Sequence, residues 1–267
     1  MRTVGLCRGL FAVAFAGLAI MSLVYRDFAP MWHAVPVWIP LREVWIYGFA
    51  LFLLAASIGL CFPLMASRGT LMIVIGAYDV VWAIIAAPPI FSNPLSVGAW
   101  YGVCEALTSL TGAWILYTML RWPPQRANTP IAAKRSVRVA QVLFGLTCVF
   151  YGYSHFAYAD YTASMVPAWL GRRLAFAYLT GAGHIAAGIG IVVGILPRLA
   201  AALEAIMMSL FGLLVWVPSF WAQPRPSWAT PPQTQWSELV VTLVVAAAAW
   251  VVAFSWPPEP RLRGLHA

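Results

Sequence analysis

Eight apolar stretches, at about 4–25, 43–64, 70–91, 98–120, 137–158, 174–196, 199–220 and 236–256, follow one another along the chain with short polar interruptions. Each approaches the roughly 20 residues that a helix needs to cross a hydrocarbon core. None alternates strictly between apolar and polar positions as a barrel strand does. Backbone groups find no hydrogen-bond partner in lipid, so α-helices are expected throughout. The interruptions carry loop chemistry: Pro36 and Pro40 in the first, Pro123, Pro124 and Pro130 in the fourth, and Pro224, Pro226, Pro231 and Pro232 in the seventh.

The pattern also repeats. Residues 35–40 read VPVWIP and residues 166–171 read VPAWLG, and the same offset of about 131 places Tyr47 on Tyr178 and Gly59 on Gly190. With small gaps, Pro88 approaches Pro218 and Glu105 approaches Glu238. The expected fold class is therefore all-α, a polytopic membrane helical bundle of about eight transmembrane helices in two parallel four-helix repeats. The first repeat covers residues 1–120, a basic cytoplasmic connector covers 121–137, and the second repeat covers 138–267. Arg2 and Arg8 ahead of a short apolar run resemble a signal peptide, but the repeat makes the first run the counterpart of the fifth, a retained helix.

Composition agrees with lipid as the main solvent. Hydrophobic residues make up 62% of the chain, charged residues 9%, and the mean hydropathy is +0.82. A soluble domain carries about a quarter charged residues. The net charge of +8 does not indicate a nucleic-acid partner, because basic residues are scattered between the apolar runs rather than gathered on one face. Counted by loop, Arg2, Arg8, Arg68, Arg121, Arg126, Lys134, Arg135, Arg138, Arg198, Arg261 and Arg263 fall on one side, against Arg26, Arg42, Arg172, Arg173 and Arg225 on the other. That asymmetry puts both termini in the cytoplasm. The four cysteines show no metal-ligand or redox spacing, and no disulfide is expected.

From His155 onward the sequence reads HFAYADYTASMVPAWLGRRLAFAYLTGAGHIAAGIGIVVGILPRLAAALEA. A His-Phe pair at a helix end, the Val-Pro-x-Trp loop at 166–169, the Gly-x-x-His stretch at 181–184 and the Pro-Arg-Leu-Ala-Ala restart at 197–201 resemble the DoxX-like family of bacterial integral membrane proteins. The resemblance covers about residues 140–255, and the first half fits weakly: Leu53 stands where the second half has His184, and nothing in the first run corresponds to His155. Members are typically four-helix units, so the chain resembles two fused units. The resemblance implies the bacterial inner membrane and, for some relatives, roles beside quinone-linked sulfur oxidation or redox-stress complexes. It fixes no activity.

Ionisable groups inside a span are costly and are candidates for function. His155, His184 and Glu204 form the leading set, a ladder of the kind a proton path requires. Asp79, Glu105, Glu238 and Asp160 are secondary candidates, and Pro36, Trp38, Pro167 and Trp169 form the loop motif, each tryptophan expected to turn back toward the bundle. The bland alternatives are specific: His184 bonded to Thr180 or a carbonyl, Glu204 paired with Arg198, and His155 lying at the interface beside Asp160. Asp79 must meet Tyr78, Trp82 or another helix, and Glu105 with Glu238 suit a vestibule. No metal is expected, since His155 and His184 differ in height by about 10 Å on the helical rise. Among the many glycines of the sixth run, Gly190 and Gly194 have small-residue spacing for helix packing.

No nucleotide-binding, hydrolase, zinc or haem motif occurs, so no cofactor is predicted and only a quinone is left open. Expected partners are membrane lipid and other membrane subunits. Three readings remain: a non-enzymatic component of a redox, export or envelope assembly; a proton-coupled or small-solute transporter; and a quinone-interacting redox subunit with Trp169, Phe176 and Tyr178 lining an apolar slot. A transporter needs a polar cavity joining the histidines to one face, a quinone subunit an apolar crevice, and an assembly component neither.

Overall fold

The computed structural model describes residues 2–28, 35, 38–62, 69–122, 129–222 and 232–256. Pro36 and residues 123–128 of the connector lie outside the described residues. The helices are α1 (Arg2–Tyr25), α2 (Arg42–Cys61), α3 (Thr70–Ala86), α4 (Pro88–Ser92), α5 (Val97–Arg121), α6 (Ile131–Ala157), α7 (Ala159–Met165), α8 (Arg173–Val193), α9 (Pro197–Phe211), α10 (Val217–Ser219) and α11 (Pro232–Ser255). There is no strand among the described residues. Seven segments are long and apolar enough to cross a membrane: Thr3–Tyr25, Arg42–Cys61, Thr70–Ser92, Val97–Arg121, Arg173–Val193, Pro197–Ser219 and Gln235–Ser255. The chain is thus a polytopic helical membrane bundle. The fifth apolar run lies on α6, which has 27 residues but falls outside those seven, because Gln141, Ser154, His155 and several tyrosines and glycines dilute it.

Packing follows the order of the chain. Helix α1 lies on α2, α3 on α5, α6 on α8, and α9 on α11; α5 also packs on α6, α1 on α11, and α5 on α11. Helices α5 and α11 are the most buried spans. They approach closely because their contact is built from small residues: a Cβ on Gly112 would lie 2.7 Å from the Ala248 methyl and 2.8 Å from the Phe11 ring. The α6–α8 contact is tighter still. A Cβ on Gly152 would lie 2.5 Å from the Gly181 carbonyl, and one on Gly188 would lie 2.5 Å from the Gly145 carbonyl. The expected packing pair is corrected accordingly. Gly194 ends α8 in the left-handed region at φ 85°, with open space around it, while Gly190 faces Ala200 of α9.

Two backbone details recur. Leu41 and Arg172, 131 positions apart in the numbering, each enter their helix from a left-handed conformation, at φ 55° and 33°. Leu71 of α3 approaches Gly59, as Ala200 of α9 approaches Gly190. The spans Thr70–Ser92 and Pro197–Ser219 also each contain a break near a proline. Pro88 opens α4 after α3 ends at Ala86, and Pro197–Ser219 widens into a π-turn at Gly212–Trp216 ahead of Pro218. Proline lacks an N–H and clashes with the preceding turn, so the backbone must adjust there.

Candidate functional site

The groups singled out in the second half converge. Glu204 projects from α9 into the α8 contact, fully buried, and both its carboxylate oxygens face His184 Nδ1 at 2.8 and 3.0 Å. The bland expectations for both residues are therefore wrong. Glu204 pairs with His184 rather than Arg198, and Thr180 serves His155 rather than His184. Arg198, the second residue of α9, lies nearly two turns before Glu204, and the carboxylate is drawn sideways to an imidazole that lipid cannot satisfy.

His155, near the end of α6, places Nδ1 2.9 Å from Thr180 Oγ1. The single Thr180 proton is directed to the backbone carbonyls of Phe176 and Ala177, at 2.9 and 3.1 Å. Thr180 therefore accepts, and His155 donates Nδ1–H, leaving its Nε2 as an acceptor. The His155 and His184 rings stand 5.0 Å apart at 72°, and Phe211 touches both, at 5.9 and 5.8 Å. The expected separation of about 10 Å counted rise along a single helix axis. It ignored that α6 and α8 touch backbone to backbone at their glycines, which lets the two rings meet. Asp160 is exposed on α7 and is not the partner of His155.

These rings form one wall of a cavity of about 770 Å³. It is bordered by Gly98, Tyr101 and Glu105 of α5, by Tyr151, Ser154 and His155 of α6, by the α7 segment, and by Thr180 and His184 of α8. Met208, Phe211, Val215 and Trp216 close it from α9 and the π-turn, and Glu238, Val241, Thr242 and Val245 from α11. The lining runs from the end of the bundle that carries α7 to mid-helix positions such as His184 and Val245. Glu105 and Glu238 thus share a chamber with both histidines. The size falls within the several-hundred-Å³ range of small-molecule sites, and a mostly apolar wall with a few polar groups is usual for them.

The seam between α5 and α6 is held by hydroxyls. Tyr101 donates to Ser154 Oγ, while Thr108 Oγ1 lies 2.9 Å from both Thr147 Oγ1 and Tyr151 Oη. Phe144 and Cys148 of α6 and Ile191 of α8, one to two turns further along their helices than the cavity-lining Tyr151 and His184, are fully buried.

Other expectations fall elsewhere. Asp79 is buried in α3, accepts a hydrogen bond from Ser109 of α5 at 3.0 Å, and is not among the residues that line the cavity. Pro167 opens a 3₁₀ turn at Ala168–Leu170, and Trp169 is 73% exposed, as Trp38 is 77% exposed. Both tryptophans turn away from the bundle, correcting the inward orientation expected; an amphipathic ring at a helix end gains more at headgroup depth. Trp169, Phe176 and Tyr178 do not line the cavity, and Tyr178 stacks on Phe156 instead. Tyr101, Tyr151, Phe211 and Trp216 do line it and were not singled out from sequence. Gly212 and Pro218, flanking the π-turn, were the available signal for the last two.

No curated protein and no solved structure matches the chain. Residues 137–217, the stretch that carries His155, His184, Glu204 and the π-turn, match the DoxX family model.

Proposed function

We propose that this multi-pass membrane protein is a proton-coupled carrier of a small solute, with the cavity as its binding site and the His184–Glu204 pair as its proton-exchanging wall. The observation that carries this reading is a cavity bordered by both histidines and by two carboxyls from other helices, Glu105 and Glu238. Glu204 occupies Nδ1 of His184, so the exchange of a proton with the cavity falls to Nε2, oriented much as a carboxylate orients a catalytic histidine. The buried packing of Phe144, Cys148 and Ile191 fits one state of an alternating-access cycle. An assembly component has no need of such a chamber, and on that ground we rank it lower.

The two halves are read here as parallel repeats with the cavity at their seam, supported by the paired left-handed caps at Leu41 and Arg172 and by the matching helix contacts. The α7 end then faces outward, and the termini and the connector face the cytoplasm of a bacterial inner membrane. Reporter fusions after Ala267 and within 123–128 are expected to report cytoplasm, and fusions at Ala168 the outside. The opposite pattern would reverse the carrier's orientation.

The apolar part of the wall, Met165, Val166, Met208 and Val245 among it, supports a second reading as a quinone-binding redox subunit. One experiment addresses both. Protein purified in mild detergent is extracted for small molecules, and the extract is compared with that of His184→Leu. A compound retained by the wild type and reduced at least about tenfold in the variant is then added to proteoliposomes carrying an internal pH dye. Solute-dependent proton movement supports the carrier; a retained quinone with no proton movement supports the redox subunit. Identical extracts, with no proton movement for either protein, would remove His184 and the carrier reading together.

A further inference from the structure

We infer that the solute held in this cavity is an amphipathic organic cation, an amine with an apolar body, and that Glu105 and Glu238 bind its charged head. The inference rests on the carrier reading and adds the chemical class of what is carried.

The cavity wall is one-sided in charge. Its ionisable lining residues are Glu105, Glu238, His155, His184 and four tyrosines, and neither lysine nor arginine borders it among the described residues. Arg172 and Arg173, the cations of the same end of the bundle, sit exposed at the start of α8 and do not line it. An anion entering here would meet two carboxyls and no permanent cation, so in a medium of low dielectric it would depend on protonation of the two histidines for countercharge. The two carboxyls come from α5 and α11, the helices that pack against each other across the molecule, and both line the same cavity as Tyr101. A cation in the cavity therefore meets carboxyls contributed by two helices. Tyr101, Tyr158, Tyr161 and Trp216 add aromatic faces, which attract ammonium groups by their quadrupoles. Met208, Val241 and Val245 leave an apolar floor for the rest of the ligand.

Exchange with protons follows from the same groups. A carboxylic acid at Glu105 or Glu238 releases its proton to water at the α7 end as an ammonium ion enters, leaving a carboxylate–ammonium pair. One positive charge enters and one leaves, so the charge of the buried chamber is unchanged, and entry of a proton reverses the step. The second half alone would lack Glu105, so the site needs both halves of the chain.

Three ligands of nearly one shape separate the possibilities: 4-phenylbutylamine, 4-phenylbutanol and 4-phenylbutyrate, titrated into the full-length protein in detergent by calorimetry. The amine is expected to bind at least about tenfold more tightly than the alcohol, a difference of about 1.4 kcal/mol, with the carboxylate weakest. Glu105→Gln and Glu238→Gln should each reduce the amine's advantage severalfold while leaving alcohol binding in place. Asp79→Asn, at a buried carboxyl that does not line the cavity, should leave the order unchanged. Equal binding of amine and alcohol, or an amine advantage that survives both glutamine variants, would overturn the cation assignment and leave the carrier reading standing. If none of the three binds, both fall.

Discussion

The helix pair α2–α3 and the pair α8–α9 meet in similar ways, yet one encloses apolar side chains and the other an imidazole and a carboxylate. Leu53 and Ile75 belong to the continuous apolar core, at 2% and 0% exposure; His184 and Glu204 are as deeply buried, at 1% and 0%. A fixed offset of 131 sets Ile73 opposite Glu204, but Ile73 is 58% exposed and points away from the bundle. The Gly59–Leu71 and Gly190–Ala200 contacts shift the register of these helices by two, which makes Ile75 the inward counterpart of Glu204. The comparison suggests that the scaffold does not require polar groups at these positions. The second pair keeps them beside a cavity, and the first pair does without them.

Exchanging the two pairs should have the largest effect. Glu204→Leu leaves His184 buried without its partner and is expected to lower stability by about 3–5 kcal/mol. The double variant His184→Leu/Glu204→Ile, which carries the first pair's side chains, should regain most of that loss. Thermal unfolding in detergent checks both, and ligand binding should stay absent in the double variant. A double variant no more stable than Glu204→Leu would mean that the two pairs are not interchangeable scaffolds.

Smaller effects test the helix contacts. Gly152→Ala should cost about 1–3 kcal/mol, because its methyl meets the Gly181 carbonyl and Ile185 on a facing backbone that has little room to move. Gly48 of α2 has open space around its Cβ position, so Gly48→Ala should be neutral or stabilise by up to about 1 kcal/mol. Equal losses at the two sites, measured by chemical denaturation, would erase this distinction between a glycine at a close helix contact and one in open space. Ser109→Ala removes the one hydroxyl bonded to Asp79 and should cost about 1 kcal/mol without altering ligand affinity. An affinity change there would tie the buried Asp79 to the cavity.

The smallest effect is expected where the two halves agree. Leu41 and Arg172 hold left-handed backbone that disfavours a Cβ, so Leu41→Gly and Arg172→Gly should each stabilise by about 0.5–1 kcal/mol. Gains of similar size at both positions support equivalent caps; a gain at only one separates them.

Much of the fold was legible in the sequence because a bilayer imposes a simple rule. Residues such as Val240 to Ala253 on α11 need only be apolar and consecutive to specify a buried span. The candidate site was legible as a set of residue types and less so as contacts. His155, His184 and Glu204 stood out as costly groups in apolar runs, but their pairings were misassigned to neighbours on the same helix, Thr180 for His184 and Arg198 for Glu204. Sequence proximity ranks such neighbours first, and side-chain partners in a bundle come from adjacent helices. Trp38 and Trp169 were misjudged because an inward turn and a headgroup-level turn leave the same mark in sequence.

What the sequence by itself determined was the helical membrane class, the span boundaries to within a few residues, and the short set of ionisable side chains that lipid would not tolerate alone. Tertiary structure decided the rest. The rotation of α9 about its axis turns Glu204, not Leu203, toward α8, and the glycine contact of α6 with α8 brings two histidine rings to 5.0 Å. The π-turn before Pro218 coincides with Val215 and Trp216 on the cavity wall, and α5 brings Glu105 to the same wall as Glu238 from more than 130 residues away in the chain. Apolar runs specify that a helix is buried, while its axial rotation and register are fixed by many weak contacts with helices distant in sequence, and no local pattern encodes those.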